Sequence, residues 1–342
     1  MGLDNGGNCN NATVLDATGQ YLVDHLVENP SLVQEGPESA VEQLAEAFDR
    51  ILTLTSTPRT LVRAVGLDTP GPASSDGVIS SKGSTNFSQV SWHGFDIRGA
   101  LQARIGLPVI YHNDANAAAL YAHHRHFGAA ANEQSSVAAV VGTGLGGGVV
   151  EAGRVVSGAA GMAGELGHVQ IPLHGVLEDG QPVPQCNCGF AGDVESIASL
   201  TGIAKNLLPY WLTRFPDHPL AQEPIEKAAK MLRGYGEKED PLALAVFAQQ
   251  AKAIGKLFTI AANFTDPAAY FLGGGVVEAA PKFRQWFLNT VREHTQLRRE
   301  QMAVATFALV PDLDMAGARG AAVAALEAMQ TGSVLIKADR QP

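Results

Sequence analysis

Gly164-Glu165-Leu166-Gly167-His168, Cys186-Asn187-Cys188-Gly189 and Gly192-Asp193-Val194-Glu195 follow one another within a short stretch of the chain. They bring carboxylates, an imidazole and two thiols together, the makings of one wall of a site. Glu165 and His168 stand three apart, a spacing that puts both on one face of a helical turn. His168, Cys186 and Cys188 are the soft ligands that zinc takes, and Asp193 offers an oxygen as the fourth. Glu195 is then held beside the metal knuckle without ligating it. A glycine-rich loop with two buried thiols and a satisfied core histidine is the other reading, because Cys-x-Cys is less specific than paired Cys-x-x-Cys motifs.

This block resembles the sugar-kinase branch of the ROK family (repressors, open reading frames and kinases), in particular its glucokinases. The family pattern is E-x-G-H followed by C-x-C-G-x-x-G-C-x-E. Here it is carried by Glu165, Gly167, His168, Cys186, Cys188, Gly189, Gly192 and Glu195, with Asp193 where the family has a third cysteine. A carboxylate can ligate zinc, so a His-Cys-Cys-Asp site and a metal-free loop both stay open.

Working outward, the chain is long enough, at 342 residues, for about two domains. A hydrophobic fraction of 46% supports an ample core. The net charge of -10 excludes the basic stripe of a nucleic-acid binder. Nucleotide phosphates can still be held by backbone N–H groups. Three cysteines, Cys9, Cys186 and Cys188, build no secreted disulfide framework. No apolar run reaches the length of a membrane span, and the opening residues enter a motif without space for a leader. A cytoplasmic protein with no membrane or nucleic-acid partner is expected.

At the start, Leu3-Asp4-Asn5-Gly6-Gly7-Asn8 reads as a strand entering a tight turn whose amides approach phosphate. The strand looks short at its beginning, as if clipped or begun upstream. Thr13–Leu15 and Tyr21–Val27 read as hairpin strands around Ala17-Thr18-Gly19. Residues 37–54 carry apolar positions at helical spacing. Leu61–Leu67 is a strand running into the rigid turn Asp68-Thr69-Pro70-Gly71-Pro72, and 79–87 is a polar loop ending in Asn86-Phe87. A helix over Phe95–Ile105 and a strand over Pro108–Tyr111 precede His112-Asn113-Asp114-Ala115-Asn116. A helix from Ala117 to Phe127 follows, on which His123, His124 and His126 read as solvated. An Asp at such a junction can be a helix cap.

The strand Ser136–Val141 enters Gly142-Thr143-Gly144-Leu145-Gly146-Gly147-Gly148, repeating the design of the opening residues. No G-K-[ST] follows, so this is not a Walker loop. The continuation reads as a hairpin and not as a helix, so it is not a Rossmann turn. Helices are expected at about 222–233, 240–263, Pro281–Leu297 and Met315–Met329. Strands are expected at Ala268–Leu272, entering Gly273-Gly274-Gly275, and at Val304–Leu309. The tail from Thr331 reads as loosely held.

The resemblance spans nearly the whole chain and rests on an ordered set: D-x-G-G at Asp4, Gly6 and Gly7, the N-D pair Asn113-Asp114, and the Glu165–Glu195 block. Asn8 replaces the family's threonine. It implies an actin-like ATPase (ribonuclease H-like) sugar-kinase fold, with two α/β domains around a central cleft. Those domains are an N-terminal one over 1–116 and a larger C-terminal one over 117–314, the helix at 315–330 packing back on the first. It implies an ATP-dependent transfer of the γ-phosphate to the 6-hydroxyl of an aldohexose, glucose first. Asp114 would be the catalytic base, and Asn86, Asn113, Asp114, Glu165, His168 and Glu195 would bind the sugar. Asp4 (through Mg²⁺), Gly6, Gly7, Asn8, Thr143, Gly144 and Gly274 would serve the nucleotide. Zinc would be structural. The relatives' habits imply a homodimer or homotetramer. The alternatives are an N-acetylglucosamine or N-acetylmannosamine kinase, a sugar sensor without catalysis, and a kinase using polyphosphate as donor.

Overall fold

The structure, a computed structural model, describes residues 1–71, 73–74, 76–80 and 86–332. Pro72 of the expected turn, the middle of the polar loop at 81–85 and the tail from 333 lie outside the described residues. Two compact units emerge. The first holds 1–133, 150–163 and the chain from 311; the second holds 134–149 and 164–310. The first unit thus runs past the boundary expected near Asn116. A cut there would split the helix α3 (Asp114–Phe127), which packs on the last helix, Leu313–Gln330.

The first sheet contains β1 (Gly2–Asn5), β2 (Cys9–Thr13), β3 (Val27–Pro30), β4 (Val65–Thr69) and β5 (Val109–Asn113), in the order β3-β2-β1-β4-β5. β1 and β2 are antiparallel; β1, β4 and β5 run parallel, with Gly2 opposite Gly66, Leu3 opposite Leu67 and Asp4 opposite Asp68. Side chains alternate along a strand. Leu3, Val65 and Leu67 therefore enter one core, with Val41, Leu44, Phe48 and Ile51 of α1 (Pro37–Leu54). Gly2, Asp4, Gly66 and Asp68 fall on the opposite face, under the last helix. That helix is rich in alanine and glycine, and its backbone lies directly on the strands: a Cβ at Gly66 would run into the carbonyl of Ala321. α2 (Ile97–Ile105) is capped by Asp96, whose Oδ1 accepts from the Gly99 N–H at 2.7 Å.

The second sheet contains β6 (Ser135–Val141), β7 (Leu145–Glu151), β8 (Arg154–Val155), β9 (Ala269–Gly274) and β10 (Thr306–Leu309), in the order β10-β9-β6-β7-β8. Read from its β8 edge, it repeats the strand order of the first sheet, so the duplicated strand–glycine turn belongs to a duplicated topology. Its core is closed by the helices Ile225–Gly236, Pro241–Thr265 and Pro281–Glu293, through Leu232, Phe247, Phe258 and Phe287. No helix among the described residues is long and apolar enough to cross a membrane.

Several expectations are corrected. The hairpin pairs β2 with β1 and then β3, leaving only a Leu15–Tyr21 bridge where strands were expected. β2 is Cys-Asn-Asn-Ala-Thr, a composition poor in strand formers. Two of its side chains are engaged across the sheet, Asn5 Nδ2 donating to Asn10 at 2.6 Å and Asn11 Nδ2 donating to Asp4 at 2.9 Å. β4 begins at Val65, after a short turn of 3-10 helix at Arg59–Leu61. The helix expected over 281–297 stops at Glu293, and a separate one spans Arg299–Val304. His123 is fully buried, not solvated: its Nε2 lies 2.8 Å from the Ala131 carbonyl and its ring packs on Phe127.

Candidate active site

Parallel strands end together, and three of them deliver carboxyl groups to one end of the first sheet. Asp4 lies one residue before the end of β1, Asp68 lies beside it on β4, and Thr69 of β4 is in register with Asn113 of β5, directly before Asp114. Open α/β sheets bind ligands at this end. Asp114 is exposed, and its Oδ1 accepts from the Ala115 N–H at 2.7 Å. The capping duty falls on Asn113, whose Oδ1 accepts from the Asn116 N–H at 2.8 Å. One lone pair of the Asn113 amide oxygen is thus engaged in the cap.

Asp4 is half-buried and receives a hydrogen bond from Asn11 Nδ2 at 2.9 Å. The turn after it is tight. Gly6 donates its N–H to the Cys9 carbonyl at 3.0 Å, so the phosphate-donor role expected of that amide is taken by the turn itself. Gly7 lies under Asn86, since a Cβ there would meet Asn86 Oδ1 at 2.6 Å. Asn8 is exposed, and its carbonyl accepts from the Ser31 N–H at 3.1 Å. Asn86 and the first glycine turn, far apart in sequence, are thus in contact.

The second unit assembles the other group. Leu166–His168 forms a 3-10 turn, with the His168 N–H on the Glu165 carbonyl at 3.1 Å. Residues three apart eclipse in such a turn. Burial raises Glu165 above the ordinary carboxyl range; His168 opposes this and Glu195 adds to it. Glu195 opens a short helix, Glu195–Ala198, and faces the second glycine turn. Its Oε2 accepts from the Leu145 N–H at 2.8 Å and would lie 2.7 Å from any Cβ at Gly144. Gly167 is pressed against the Leu145 carbonyl, so the glycine of E-x-G-H is there for close approach. Thr143 gives its carbonyl to Thr201 Oγ1 at 2.8 Å. Gly274 has φ +93 and abuts Val141, a conformation and a contact that only glycine tolerates.

His168, Cys186, Cys188 and Asp193 each offer a donor atom, all within 4.8 Å of one another. Asp193 Oδ2 lies 3.3 Å from His168 Nδ1 and 3.6 Å from Cys188 Sγ, and Cys186 Sγ lies 3.9 Å from the same imidazole nitrogen. A tetrahedron with zinc–ligand bonds of about 2.0–2.3 Å has edges of roughly this length. Asp193 is fully buried and its other oxygen caps the helix, accepting from the Ser196 N–H at 2.9 Å. Cys186 Sγ also approaches Glu195 Oε1 at 3.5 Å, which ties the donor cluster to that carboxylate.

The model of the ROK family matches residues 1–328. The chain belongs to the ROK family. A glucokinase from Halalkalibacterium halodurans is 30% identical over 298 residues, covering 86% of this chain and 84% of the relative. The structure of a ROK hexokinase from Thermus thermophilus is 32% identical, with a TM-score of 0.75 over 97% of this chain and 99% of that one. A ROK glucokinase from Streptomyces griseus, solved with glucose and AMPPNP, shares the fold at 24% identity and a TM-score of 0.67, over 95% and 98% of the two chains.

Within this ROK chain, a groove of about 890 Å³ beside β3 and α1 contains none of the expected site residues. Glu28, Glu42, Glu46 and Asp49 line it together with Arg50 and Arg104, and Arg104 pairs with Glu42 at 2.7 Å. One buried group at the carboxyl end of the first sheet escaped the reading of motifs: Asp68. It was visible only as part of a rigid turn, and its register against Asp4 needs the sheet.

Proposed function

We propose that this ROK-family chain is a hexose kinase that transfers the γ-phosphate of MgATP to the 6-hydroxyl of an aldohexose, with glucose as preferred acceptor. The observation that carries this reading is the arrival of Asp4, the Gly6–Gly7 turn with Asn86 above it, and Asn113-Asp114 at one end of three adjacent parallel strands. Phosphoryl transfer through a loose transition state asks the protein for positioning and charge stabilisation more than covalent chemistry. Asp114 accepts the proton of the attacking hydroxyl. Asp4 orients the nucleotide's magnesium through water. The backbone of the two glycine turns, at Gly7 and Asn8 and at Thr143 and Gly144, is the part of the chain suited to phosphate oxygens. Glu165, His168 and Glu195 take sugar hydroxyls in charge-assisted hydrogen bonds, which are shorter and stronger than neutral ones.

A coupled ADP-release assay with ATP and Mg²⁺ tests this across glucose, mannose, fructose, N-acetylglucosamine and N-acetylmannosamine. The highest kcat/KM is expected with glucose. ADP release with no hexose removes the kinase reading, and a preference for an N-acetyl sugar removes glucose.

The donor set at His168, Cys186, Cys188 and Asp193 fits one zinc ion. Bound there it would brace the sugar-facing wall, and through Nδ1 it would set the tautomer that leaves His168 Nε2 for the sugar. Elemental analysis is expected to find one zinc per chain, and Asp193→Ala to lose most of it. Chelation is expected to lower the unfolding temperature. A metal-free preparation with full activity and unchanged stability removes zinc from the site.

A further inference from the structure

The four donors of the metal cluster sit on three pieces of chain. His168 leads into the segment 169–171, Asp193 lies on the returning segment 192–194, and Cys186 and Cys188 sit on the turn before it. Backbone pairing fixes the first two pieces together. The Val194 N–H donates to the Val169 carbonyl at 3.1 Å, and the Ile171 N–H to the Gly192 carbonyl at 3.3 Å. The cysteine turn closes on itself, with the Cys186 N–H on the Phe190 carbonyl at 2.9 Å, and residues 187–191 are exposed. Its outgoing leg is held from another element. Asn206 Oδ1 accepts from the Gln185 N–H at 3.1 Å, and Asn206 Nδ2 donates to the Gln185 carbonyl at 3.1 Å and to the Ser196 carbonyl at 2.8 Å. One side-chain amide thus pairs both backbone groups of Gln185, as a neighbouring strand would. It also ties the residue before Cys186 to the short helix that Asp193 caps.

Asn206 reaches that place from an irregular turn. Residues 200–212 run helically, but Ile203–Leu207 form a π turn, closed by the Leu208 N–H on the Ile203 carbonyl. Pro209 follows, and it lacks the N–H that would bond the Lys205 carbonyl in a regular helix. Such widened turns are rare and gather at functional sites. We propose that Asn206 is a positioning residue for the metal: its amide holds the Cys186–Cys188 turn within ligand distance of His168 and Asp193 before any ion binds. This rests on the zinc reading above for its consequence, but not for its geometry. Groups that orient metal ligands change affinity by about 10–100-fold when removed. Asn206→Ala is therefore expected to weaken zinc binding, measured by competition with a chromophoric chelator, about tenfold or more. Asn206→Leu nearly keeps the side-chain volume but offers no donor or acceptor, and the same loss is expected from it. Cobalt(II) in the wild-type site is expected to show the intense visible bands of a four-coordinate ion, weaker and shifted in both variants.

A merely structural role would lower the unfolding temperature of the metal-free and metal-loaded protein alike and leave affinity and spectrum unchanged, and that result overturns the proposal. So does a leucine variant that binds zinc as tightly as wild type, because packing would then suffice. Hydrogen exchange of the metal-free wild type needs no variant to fold: the Gln185 amide is expected to exchange at least about tenfold more slowly than a free amide. A Gln185 amide protected only after zinc is added overturns the proposal, since the clamp would then follow the ion. A wild type that binds neither zinc nor cobalt overturns the metal reading and this proposal together, whereas tight binding with unaltered variants overturns this proposal alone.

Discussion

Asp114→Asn is expected to lower kcat for hexose phosphorylation by about 10²–10⁴-fold and to leave the hexose dissociation constant within about threefold of wild type. That loss corresponds to roughly 3–5 kcal/mol of transition-state stabilisation. The size of the effect separates two roles for this residue. Loss of a helix cap costs about 1 kcal/mol of stability and nothing in chemistry. The cap of α3 is Asn113, which the substitution leaves in place. Asparagine also keeps an oxygen for the Ala115 N–H that Asp114 now holds at 2.7 Å. What it cannot do is accept a proton from a hydroxyl. Steady-state kinetics with ATP and glucose, beside calorimetric titration of glucose, reads both quantities. A variant with near wild-type kcat means the base lies elsewhere; one that no longer binds sugar means that Asp114 mainly holds the substrate.

The second large effect is on the fold that carries the site. Gly66→Ala is expected to destabilise the first unit by about 3 kcal/mol or more. The added methyl group would overlap the carbonyl of Ala321, and a backbone atom in a packed helix cannot swing away as a side chain can. The opposing gain, a less flexible unfolded chain, is only about 0.4–1 kcal/mol. Overlap therefore wins. The two units need not unfold together, so a single transition of the whole chain is a poor measure. Trp92 is fully buried in the first unit, whereas Trp211 and Trp286 lie in the second. Denaturant titration followed by Trp92 fluorescence, with the other two tryptophans replaced by phenylalanine in both proteins, reports the unit concerned. A midpoint equivalent to less than about 1 kcal/mol of change would show that the last helix can lift off β4 at little cost.

Much of the molecule could be read along the chain. Strand–glycine–strand turns announce themselves through residues two to four apart, and the helix over 37–54 through its spacing of Val41, Leu44, Phe48 and Ile51. The His168, Cys186, Cys188 and Asp193 set was legible for the same reason: its members are close in sequence and their chemistry is shared. The misreadings have one source. His123 stands on a helix beside His124, Arg125 and His126, where polarity suggested solvent, but the carbonyl that satisfies it comes from Ala131 in the next segment. The strand expected from Thr13 to Leu15 lies instead at Cys9–Thr13, because its place is set by pairing across the sheet with β1 and β3.

By itself, then, the sequence determined the order of motifs, the duplicated turn, the candidate base and the four residues that could hold a metal. Each is encoded in residues near one another, where backbone sterics and side-chain chemistry act locally. Only tertiary structure decided that Asp68 lies beside Asp4 and that Gly66 and Gly317 let a helix from the far end of the chain lie against the strands. Those facts depend on strand register and on helix-to-sheet distance. Both are set by packing between segments far apart in the chain, Asp4 against Asp68 and Gly66 against Ala321, where no local pattern records which atom will face which.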